Sequence, residues 1–445
     1  MPRLFGTDGV RGVANEFLTP ELAFALGRAG GHVLAAHGER RPVVIGRDTR
    51  CSGPMLEAAL CAGVCSIGLD AITVGILPTP AVAWLTRRLN AGAGVMISAS
   101  HNPIEDNGIK FFAADGCKLS DQLEDEIATH VRDGAALARP TGAKVGTIQE
   151  RRRMAALYAE HCRSLGADLS GLVVVVDGGH GAAYEIAPRV FAQLGAHVVK
   201  LHCTANGKKI NVRCGSTDLS DLRAAVLAHP KSIGVAFDGD ADRALFVDEE
   251  GAEVTGDHVL AMRARELAAR DELPGRTVVA TVMSNIGLER ALEALNVTLV
   301  RTPVGDRYVL DAMQRGGYRL GGEQSGHIID LQANTTGDGL ATAVSVLRLA
   351  KEHGRLADAA AMMRRHPQVL VNIHVRDKVA AQESDQVRLA IGEVERELGV
   401  DGRVLVRPSG TEPLVRVMIE GKEEKEIRRL AQRIADAIQM SANET

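Results

Sequence analysis

The chain has 445 residues, of which 45% are hydrophobic and 24% are charged, and its formal net charge is −4. At about 150 residues per domain, this length predicts roughly three domains, with two to four reasonable. The slightly acidic balance gives no indication of a nucleic-acid-binding protein, which would need a clustered basic excess. Only 3% of the residues are aromatic, so the cores must be built from aliphatic side chains, which suits helices packed on buried parallel strands.

The seven cysteines form a sparse, odd-numbered set without a Cys-x-x-C pair, which is typical of a reduced intracellular protein. Cys61 and Cys65 lie four residues apart in a helical pattern, which favours core packing. The start of the chain has no apolar signal-peptide core, and the longest apolar strand-like run, 172–176, is far too short to span a membrane. We therefore expect a soluble cytoplasmic protein without membrane or nucleic-acid partners.

The first 150 residues alternate short β-branched runs with amphipathic segments. Thr19 followed by Pro20 predicts a capped helix start, and the Ser52 hydroxyl is expected to cap a helix that continues through Leu56 to Val64. Strands are predicted at 43–45, 71–77 and 93–97.

This alternation restarts twice and then changes character. The second unit has a predicted helix at 151–165 and strands at 172–176, 196–201 and 233–237; the third has helices at 257–270 and 287–295 and strands at 277–282 and 297–300. Such α/β units imply parallel or mixed sheets, whereas the tail, with its alternating strand at 369–375, indicates a small α+β domain. We predict three similar α/β domains with mixed sheets, at 1–150, 151–255 and 256–366, and a C-terminal α+β domain at 367–445.

A serine follows the predicted strand 93–97, in the segment Ser98-Ala99-Ser100-His101-Asn102-Pro103. Open α/β sheets bind ligands at the carboxyl ends of their strands, and a serine at such a position can accept a phosphoryl group. An isolated Ser-His-Asn-Pro is also typical of an ordinary turn. A Ser-His-Asp hydrolase is a further alternative, although the Gly-x-Ser-x-Gly elbow is absent.

Three carboxylates alternate directly after the strand 233–237, as Asp238, Asp240 and Asp242. They converge only if the chain bends, and their oxygen ligands favour Mg²⁺ over Zn²⁺. Like charges this close repel strongly without a cation, which weakens the alternative of a solvated acidic turn. An EF-hand also begins with alternating acidic residues, but it requires flanking helices and a glycine at the position where this chain has Arg243.

Two further loops have the composition of sugar and phosphate sites. Residues 321–327 place Glu, Ser and His between glycines, which suits a polyhydroxylated ligand but also occurs in surface loops. Residues 407–413 combine two hydroxyl side chains, a glycine and an arginine, with Arg416 close behind; this suits a phosphate cradle, although an ordinary Pro/Gly turn is the alternative. Together with an acceptor serine and a metal, these loops supply the parts of a phosphosugar phosphotransferase.

The chain resembles the α-D-phosphohexomutases over essentially its whole length. The resemblance is carried by the serine and triple-aspartate segments and by residues 5–12 (Phe-Gly-Thr-Asp-Gly-Val-Arg-Gly), 45–50, 302–307 and 407–413. The opening segment and the Gly-Glu-Gln-Ser-Gly-His sequence at 322–327 favour the phosphoglucosamine mutase branch, because phosphomannomutase/phosphoglucomutase relatives usually have Met after the Glu and glucose-specific relatives lack the Gly-His ending. The chain departs from the family pattern at Asp177-Gly178-Gly179-His180, where relatives usually have an Asp-Cys-Ala-Asn type of turn.

The resemblance implies four domains around a central cleft, a phosphosugar substrate and, as in many relatives, a homodimer. It implies that glucosamine 6-phosphate and glucosamine 1-phosphate are interconverted, on the route to UDP-N-acetylglucosamine and cell-wall precursors, through a phosphoserine at Ser100 and a glucosamine 1,6-bisphosphate intermediate. One Mg²⁺ would be held by Asp238, Asp240, Asp242 and an oxygen of the phosphoserine. The other implied site residues are Arg11, His101, Lys110 and Arg243 around the transferring phosphate, Glu323, Ser325 and His327 at the sugar, and Arg407, Ser409, Gly410, Thr411 and Arg416 at the other phosphate.

The sequence leaves the general base open among Lys110, His101 and His327, each of which could instead bind phosphate or sugar. It also leaves open a phosphomannomutase or phosphoglucomutase with overlapping substrates, a metal-dependent phosphatase, and a non-catalytic phosphosugar-binding protein on the same fold. The intact serine and the complete set of aspartates argue against the non-catalytic protein.

Overall fold

The computed structural model describes residues 3–6, 8–38, 40–133, 137, 139–166, 168–375, 377, 384–408 and 413–444. The chain divides into two compact units, of which the first comprises Met1–Met283 and Val297–Met362 and the second Ser284–Asn296 and Met363–Thr445. In the described residues, the first unit contains three mixed sheets and the second an antiparallel sheet. This confirms the predicted fold class, whereas the four domain boundaries and the central cleft stay predictions.

The first sheet lies within the predicted domain 1–150. Its strands are β1 (Val10–Val13), β2 (Val43–Arg47), β3 (Ala71–Ile76), β4 (Ala93–Ile97), β5 (Asp106–Ala113) and β6 (Ile148–Glu150), and the helices are α1 (Pro20–Ala36), α2 (Gly53–Cys65), α3 (Thr79–Arg88) and α4 (Asp121–Asp133). The order is β1-β5-β4-β2-β3-β6. Strands β2, β3, β4 and β6 are parallel, and β5 is antiparallel to both β4 and β1.

One predicted helix cap is confirmed and the other is wrong. The Thr19 hydroxyl accepts a hydrogen bond from the Leu22 N–H at 3.2 Å, directly before Pro20 opens α1. Ser52 makes no such bond, because its backbone is already helical and its Oγ instead accepts a hydrogen bond from Asn107 Nδ2 at 2.8 Å.

The second sheet lies within residues 151–255. Its strands are β7 (Val173–Asp177), β8 (His197–Leu201), β9 (Ser232–Phe237), β10 (Ala244–Val247) and β11 (Glu253–Val254), and the helices are α5 (Met154–Ser164), α6 (Ile186–Gln193) and α7 (Ser220–Ala228). The order is β11-β10-β9-β7-β8, with β7 parallel to β8 and β9 and with β10 antiparallel to β9. The consecutive valines of β7 suit a central strand that is covered on both faces.

The third sheet lies within residues 256–366. Its strands are β12 (Thr277–Thr281), β13 (Thr298–Thr302), β14 (Leu320–Gly322) and β15 (Ile328–Asp330), and the helices of this stretch are α8 (Gly256–Ala269), α9 (Ile286–Glu293), α10 (Asp306–Gly316), α11 (Gly339–His353) and α12 (Leu356–Ala360). The order is β13-β12-β14-β15, and only the β14–β15 pair is antiparallel within the described residues. Helix α9 belongs to the second compact unit.

The second unit is built on the antiparallel sheet β16 (Gln368–His374), β18 (Leu414–Glu420) and β17 (Arg403–Pro408), in that order, with helices α13 (Asp385–Leu398) and α14 (Glu424–Glu444). Its core packs Val417 and Ile419 of β18 against Ile427 and Ile434 of α14. The start of α9 is bound to this sheet, since Asn285 Nδ2 donates to Glu420 Oε1 at 3.0 Å.

The seven cysteines are free thiols, and Cys61 and Cys65 are buried in the core of the first sheet, as predicted. Among the described residues, no helix combines the length and the apolar character needed to cross a bilayer.

Candidate active site

The segment 98–103 lies in the connection between β4 and β5 and places Ser100 at the carboxyl end of β4. Arg50, whose side chain is fully buried, holds this segment from within the protein. Its Nη2 donates to the carbonyl oxygens of Ser100 at 2.9 Å and Asn102 at 2.8 Å, and its Nε lies 3.1 Å from Asp48 Oδ2. The position of Ser100 is therefore fixed by hydrogen bonds to its backbone.

The Ser100 hydroxyl faces the aspartate loop. Ser100 adopts a left-handed backbone conformation, with φ of 51°, which is uncommon for a residue other than glycine. Its Oγ donates to Asp238 Oδ2 at 2.5 Å, and its carbonyl oxygen accepts from Asn211 Nδ2 at 2.8 Å. A Cβ at Gly239 would lie 2.5 Å from the same carbonyl oxygen, so the two loops can approach this closely only with glycine at that position.

The three aspartates occupy the turn between the antiparallel strands β9 and β10. Ala241, with φ of 56°, helps to fold the turn, and one carboxylate oxygen each of Asp238, Asp240 and Asp242 lies within 4.8 Å of the other two. Strands on both sides exclude the EF-hand. The three aspartate residues are at most 3% exposed, which excludes a solvated turn.

Burial and mutual repulsion shift the acidity of these carboxylates. Burial and the charges of Asp242 and Asp240 raise the pKa of Asp238 well above its usual value. Burial and Asp242 raise the pKa of Asp240 to about 6. Burial also opposes ionisation of Asp242, but the neighbouring His327 and Arg243 outweigh it and lower its pKa.

Two oxygens of this cluster fit a metal ion. Among the described residues, no donor reaches Asp240 Oδ1 or Asp242 Oδ1, although both atoms are buried. A buried, ionised oxygen without a partner is costly, and a hard divalent cation such as Mg²⁺ would satisfy both. The residues present therefore fit the magnesium that the resemblance implies.

Cationic side chains from the first sheet surround the cluster. Lys110 Nζ lies 2.6 Å from Asp8 Oδ1 and 3.5 Å from Asp306 Oδ2. Burial opposes its charge, but the carboxylates raise the pKa of Lys110 above its ordinary value. Arg11 also pairs with Asp8, and its buried Nε meets no acceptor among the described residues.

Arg243 follows the cluster directly, with its Nε 3.7 Å from Asp242 Oδ1. That buried Nε also lacks an acceptor in the described part of the chain. Burial opposes the charge, but Asp242 and Asp238 raise the pKa of Arg243. Arg243 and Arg11 thus present permanent charge and available N–H groups to an anion.

The two histidines of the predicted site differ in their environments. His327 is 2% exposed; its Nε2 accepts the Gly337 N–H at 3.1 Å and its Nδ1 lies 3.4 Å from Asp242 Oδ2. With both ring nitrogens engaged, His327 has no lone pair to offer as a base. His101 Nδ1 lies 3.4 Å from Ser100 Oγ, and burial together with Arg243 lowers the pKa of His101 to about 4, so its ring is neutral near neutral pH.

The loop that connects β14 to β15 packs against the aspartate hairpin. Gly326 O accepts the Ala244 N–H at 3.1 Å. Glu323 Oε1 accepts the Gly305 N–H at 3.2 Å, and its Oε2 accepts the Ser325 hydroxyl at 3.3 Å. Both side chains are partly exposed, so they keep surface for a ligand.

The second unit contains the remaining predicted phosphate residues. Arg407 on β17 lies directly opposite Arg416 on β18. Burial and the charge of Arg416 lower the pKa of Arg407. Two guanidinium groups side by side suit a dianionic phosphate. Ser409, Gly410 and Thr411 lie outside the described residues.

Models of the phosphoglucomutase/phosphomannomutase family match nearly the whole chain: alpha/beta/alpha domain I at residues 2–137, domain II at 156–251, domain III at 255–367 and the C-terminal domain at 370–437. A phosphoglucosamine mutase of Thermoanaerobacter sp. (strain X514) is 52% identical over 448 residues, with 100% of each chain covered. The chain belongs to the phosphoglucosamine mutase family. This membership confirms the predicted resemblance and makes the protein an isomerase of the phosphohexomutase class.

Solved structures share the fold of this family. A phosphoglucomutase/phosphomannomutase family protein from Burkholderia thailandensis matches with a TM-score of 0.81 at 25% identity, over 99% of this chain and 98% of that chain. The N-acetylphosphoglucosamine mutase of Aspergillus fumigatus, solved in complex with GlcNAc-6P and magnesium, matches with a TM-score of 0.72 at 18% identity. The match covers 98% of this chain and 96% of that chain. A phosphohexomutase of the same fold thus binds magnesium, and Asp238, Asp240 and Asp242 are the candidate site here.

Sequence reasoning missed supporting residues of this phosphohexomutase. Arg50 lies inside one of the resemblance segments, but nothing in the pattern predicts that its side chain is buried beneath Ser100. Asn211 stands alone in a loop without a motif. Thr79, at the start of α3, donates its hydroxyl to Asp240 Oδ2 at 2.5 Å and its N–H to the Asp240 carbonyl at 2.9 Å, and no motif singles it out in the sequence.

Proposed function

We propose that the protein interconverts glucosamine 6-phosphate and glucosamine 1-phosphate and that Ser100 carries the transferred phosphoryl group. The observation that carries the proposal is the Ser100 hydroxyl, held 2.5 Å from a buried carboxylate of a metal-fitting cluster. A phosphate on Ser100 would add about 1.5 to 2 negative charges beside three carboxylates, which requires a cation at the same place. The full-length similarity to phosphoglucosamine mutases supports the choice of sugar.

The proposed cycle consists of two transfers through glucosamine 1,6-bisphosphate. In the first, the sugar 1-hydroxyl attacks the phosphorus on Ser100; the P–Oγ bond breaks, a P–O1 bond forms, and the hydroxyl proton passes, in net terms, to Oγ. The bisphosphate then turns over within the site. In the second, Ser100 Oγ attacks the 6-phosphate, the P–O6 bond breaks, and the proton passes from Oγ to O6.

Three cationic side chains are proposed to surround the transferring group. Arg11 and Arg243 would donate hydrogen bonds to its oxygens, because each has a buried Nε without an acceptor among the described residues. Lys110 would supply a fixed positive charge. Asp238, Asp240 and Asp242 would hold Mg²⁺, which supplies Lewis-acid stabilisation of the phosphoryl oxygens when it is bound.

Among the predicted general bases, His101 is favoured by its position. Its Nδ1 lies within 3.4 Å of the reacting oxygen, Ser100 Oγ, whereas Lys110 is held as a cation and His327 has both nitrogens engaged. We therefore propose that His101 relays the proton during transfer. Glu323 and Ser325 would bind sugar hydroxyls or the amine.

The phosphate that is not being transferred would bind to Arg407 and Arg416, together with Ser409, Gly410 and Thr411. The assignment rests on the facing pair of arginines and on the composition of the loop. The use of the product for UDP-N-acetylglucosamine and cell-wall precursors, the cytoplasmic location and the homodimer also stay predictions; light scattering coupled to gel filtration tests the last.

The substrate is tested by comparing kcat/KM for the 1- and 6-phosphates of glucosamine, glucose and mannose. Glucosamine phosphates should be preferred. A preference for mannose or glucose phosphates would make the protein a phosphomannomutase or phosphoglucomutase of the same superfamily. Release of free phosphate without isomer formation would support a phosphatase, and binding without any turnover a non-catalytic protein.

A further inference from the structure

Beside the aspartate hairpin, a second group of metal-ligating side chains lies at the carboxyl ends of the neighbouring strands β7 and β8. Asp177 ends β7, His202 follows β8, and Cys214 lies in the loop before α7. One ligand atom of each lies within 4.8 Å of the other two. Asp177 and Cys214 are fully buried, and the His202 side chain is 21% exposed.

The hydrogen bonds of this group hold its ligand atoms in place. Asp177 Oδ1 accepts the Gly179 N–H at 2.8 Å, and Oδ2 accepts the Gly215 N–H at 2.9 Å. His202 Nδ1 lies 3.1 Å from Asp177 Oδ2, and its Nε2 lies 3.4 Å from Asp221 Oδ2 on α7.

The tautomer of His202 decides what lies between its Nδ1 and Asp177 Oδ2. A neutral imidazole that donates Nε2–H towards Asp221 presents the lone pair of Nδ1 to a carboxylate oxygen. Without a metal, the proton lies on Nδ1 and donates to Asp177 Oδ2 at 3.1 Å; a metal bound to Nδ1 and Oδ2 requires the tautomer with its proton on Nε2, facing Asp221. Cys214 Sγ lies in the same group, where the thiol donates to the Lys209 carbonyl oxygen at 3.7 Å; a metal would replace the thiol proton and bind the thiolate.

We propose that Asp177, His202 and Cys214 bind a divalent transition metal ion of the zinc type. Carboxylate, imidazole and thiolate are the ligands that Zn²⁺ takes, and thiolate is not a ligand for Mg²⁺. Asp221 behind His202 is the outer carboxylate that commonly orients a metal-binding histidine. Binding transfers the Cys214 thiol proton to solvent, and a water molecule would complete a tetrahedral shell.

This site shares no ligand with the proposed magnesium site, yet it supports the loop that contains Ser100. Asn211, which donates to the Ser100 carbonyl, receives its own backbone support from the turn next to Asp177, since its N–H donates to Gly179 O at 3.1 Å. A metal bound to Cys214 would fix the segment 211–214 from its other end. The inference does not depend on the phosphoserine cycle.

The test is a Co²⁺ titration of the full-length protein after saturation with Mg²⁺, followed by absorption spectroscopy. We expect a near-ultraviolet thiolate-to-cobalt charge-transfer band in the wild type, and about one zinc per chain by elemental analysis after Zn²⁺ loading and gel filtration. Cys214→Ser should lose the band. Cys203→Ser, which removes the neighbouring thiol that hydrogen-bonds to the Val176 carbonyl, should keep it.

A second pair of variants keeps the thiol and tests the other ligands. Asp221→Asn should weaken Zn²⁺ binding about 10- to 100-fold. His202→Asn should weaken it at least as much. The melting temperature of each variant, measured without metal, checks that the variant is folded. Ser100→Ala should leave the band unchanged, which separates this site from the mutase chemistry. A wild type without the band, or a band that survives in Cys214→Ser, would overturn the proposal and leave an ordinary hydrogen bond between His202 and Asp177.

Discussion

At the scale of single residues, Arg50 shows how a buried cation shapes the site without touching substrate. It donates to the backbone carbonyls of Ser100, Asn102, Pro103 and Asp106 and pairs with Asp48. These bonds satisfy carbonyls that a tight loop would otherwise leave without partners. They also compensate the strained backbone of Ser100, whose positive φ must be maintained by its surroundings.

Replacement of Arg50 by Met should destabilise the protein strongly, because Asp48 would remain as an unpaired buried charge. Breaking a buried pair in this way costs about 3 to 5 kcal/mol. The free energy of unfolding of Arg50→Met, compared with that of the wild type in denaturant, measures this loss. Arg315→Met is the matched control, since Arg315 is 73% exposed in its pair with Asp311 and should change stability by under about 1 kcal/mol.

His327 is predicted to position a metal ligand rather than to act as a base. His327→Asn should raise the Mg²⁺ concentration needed for half-maximal activity by about 10- to 100-fold, because the partner of Asp242 is lost. Saturating Mg²⁺ should restore most of kcat. A loss of kcat that persists at saturating Mg²⁺, together with an unchanged Mg²⁺ requirement, would instead identify His327 as the base.

At the scale of elements, the site depends on the close approach of two loops from different sheets. The β4–β5 segment and the β9–β10 hairpin meet where Gly239 faces the Ser100 carbonyl oxygen. Asn211 and Thr79 bind the two loops from the side. The arrangement explains why a serine and an aspartate 138 residues apart in sequence share a hydrogen bond.

Gly239→Ala should separate these loops, because a Cβ would lie 2.5 Å from a backbone oxygen that cannot move aside easily. A displacement of about 1 Å commonly costs on the order of 100-fold in rate, so kcat/KM should fall by about that factor. Gly392→Ala is the control; its Cβ would meet nothing within 4 Å in α13, and activity should be retained. Wild-type kcat/KM in Gly239→Ala would contradict this account of the loop contact.

Strands that follow the repeated α/β pattern are predicted from the sequence. Strands that form only because they pair with distant strands are missed. The parallel strands β2, β4, β7 and β9 are predicted within a residue or two because each is an apolar run between helical segments. Strand β5 is missed, since Asp106-Asn107-Gly108 at its start is typical of a turn. Its strand conformation comes from pairing with β4 and β1 on either side, which a local pattern does not contain.

At the scale of the whole molecule, ion pairs and a hydrogen bond connect the three α/β sheets of the first unit. Lys110 from the first sheet contacts Asp306 at the start of α10, and Arg307 of the same helix forms a bidentate pair with Asp121 at the start of α4. Thr79 of the first sheet region binds the hairpin of the second. The first predicted α/β domain is thus connected to both of the others.

The Arg307–Asp121 pair predicts a pH-dependent contribution to stability. A hydrogen bond from Arg307 lowers the pKa of Asp121 to about 2, below the value of about 3.9 expected in the unfolded chain. The pair therefore stabilises the fold above about pH 4 and loses this contribution as pH falls towards about 2. Asp121 is 40% exposed, so Asp121→Asn should cost under about 1 kcal/mol at neutral pH.

Denaturant unfolding of Asp121→Asn and wild type at several pH values measures this contribution. The difference in unfolding free energy should narrow below about pH 4. A difference that stays constant down to the pH of acid unfolding would show that the pair contributes through packing and not through charge.

The residues that carry the chemistry of the site are easier to predict from the sequence than the residues that hold them in place. Ser100 and the three aspartates each follow a strand whose carboxyl end is visible in the pattern, but these strands lie in different sheets, so their convergence is implied only by the family resemblance. The sequence does not identify the general base among His101, Lys110 and His327. That choice depends on which nitrogen atoms of these side chains are already bound by neighbouring residues. Those contacts come from residues far away in sequence, such as Asp8 for Lys110 and Asp242 for His327.

The central claim, that Ser100 carries the phosphoryl group, is tested most directly by intact-protein mass spectrometry after incubation with glucosamine 1,6-bisphosphate, paired with an assay for glucosamine 1-phosphate formation. Wild type and Ser98→Ala should carry one covalent phosphoryl group, and Ser100→Ala should carry none and lose turnover. Full activity of Ser100→Ala, or a phosphoryl group retained in that variant with normal turnover, would contradict the account.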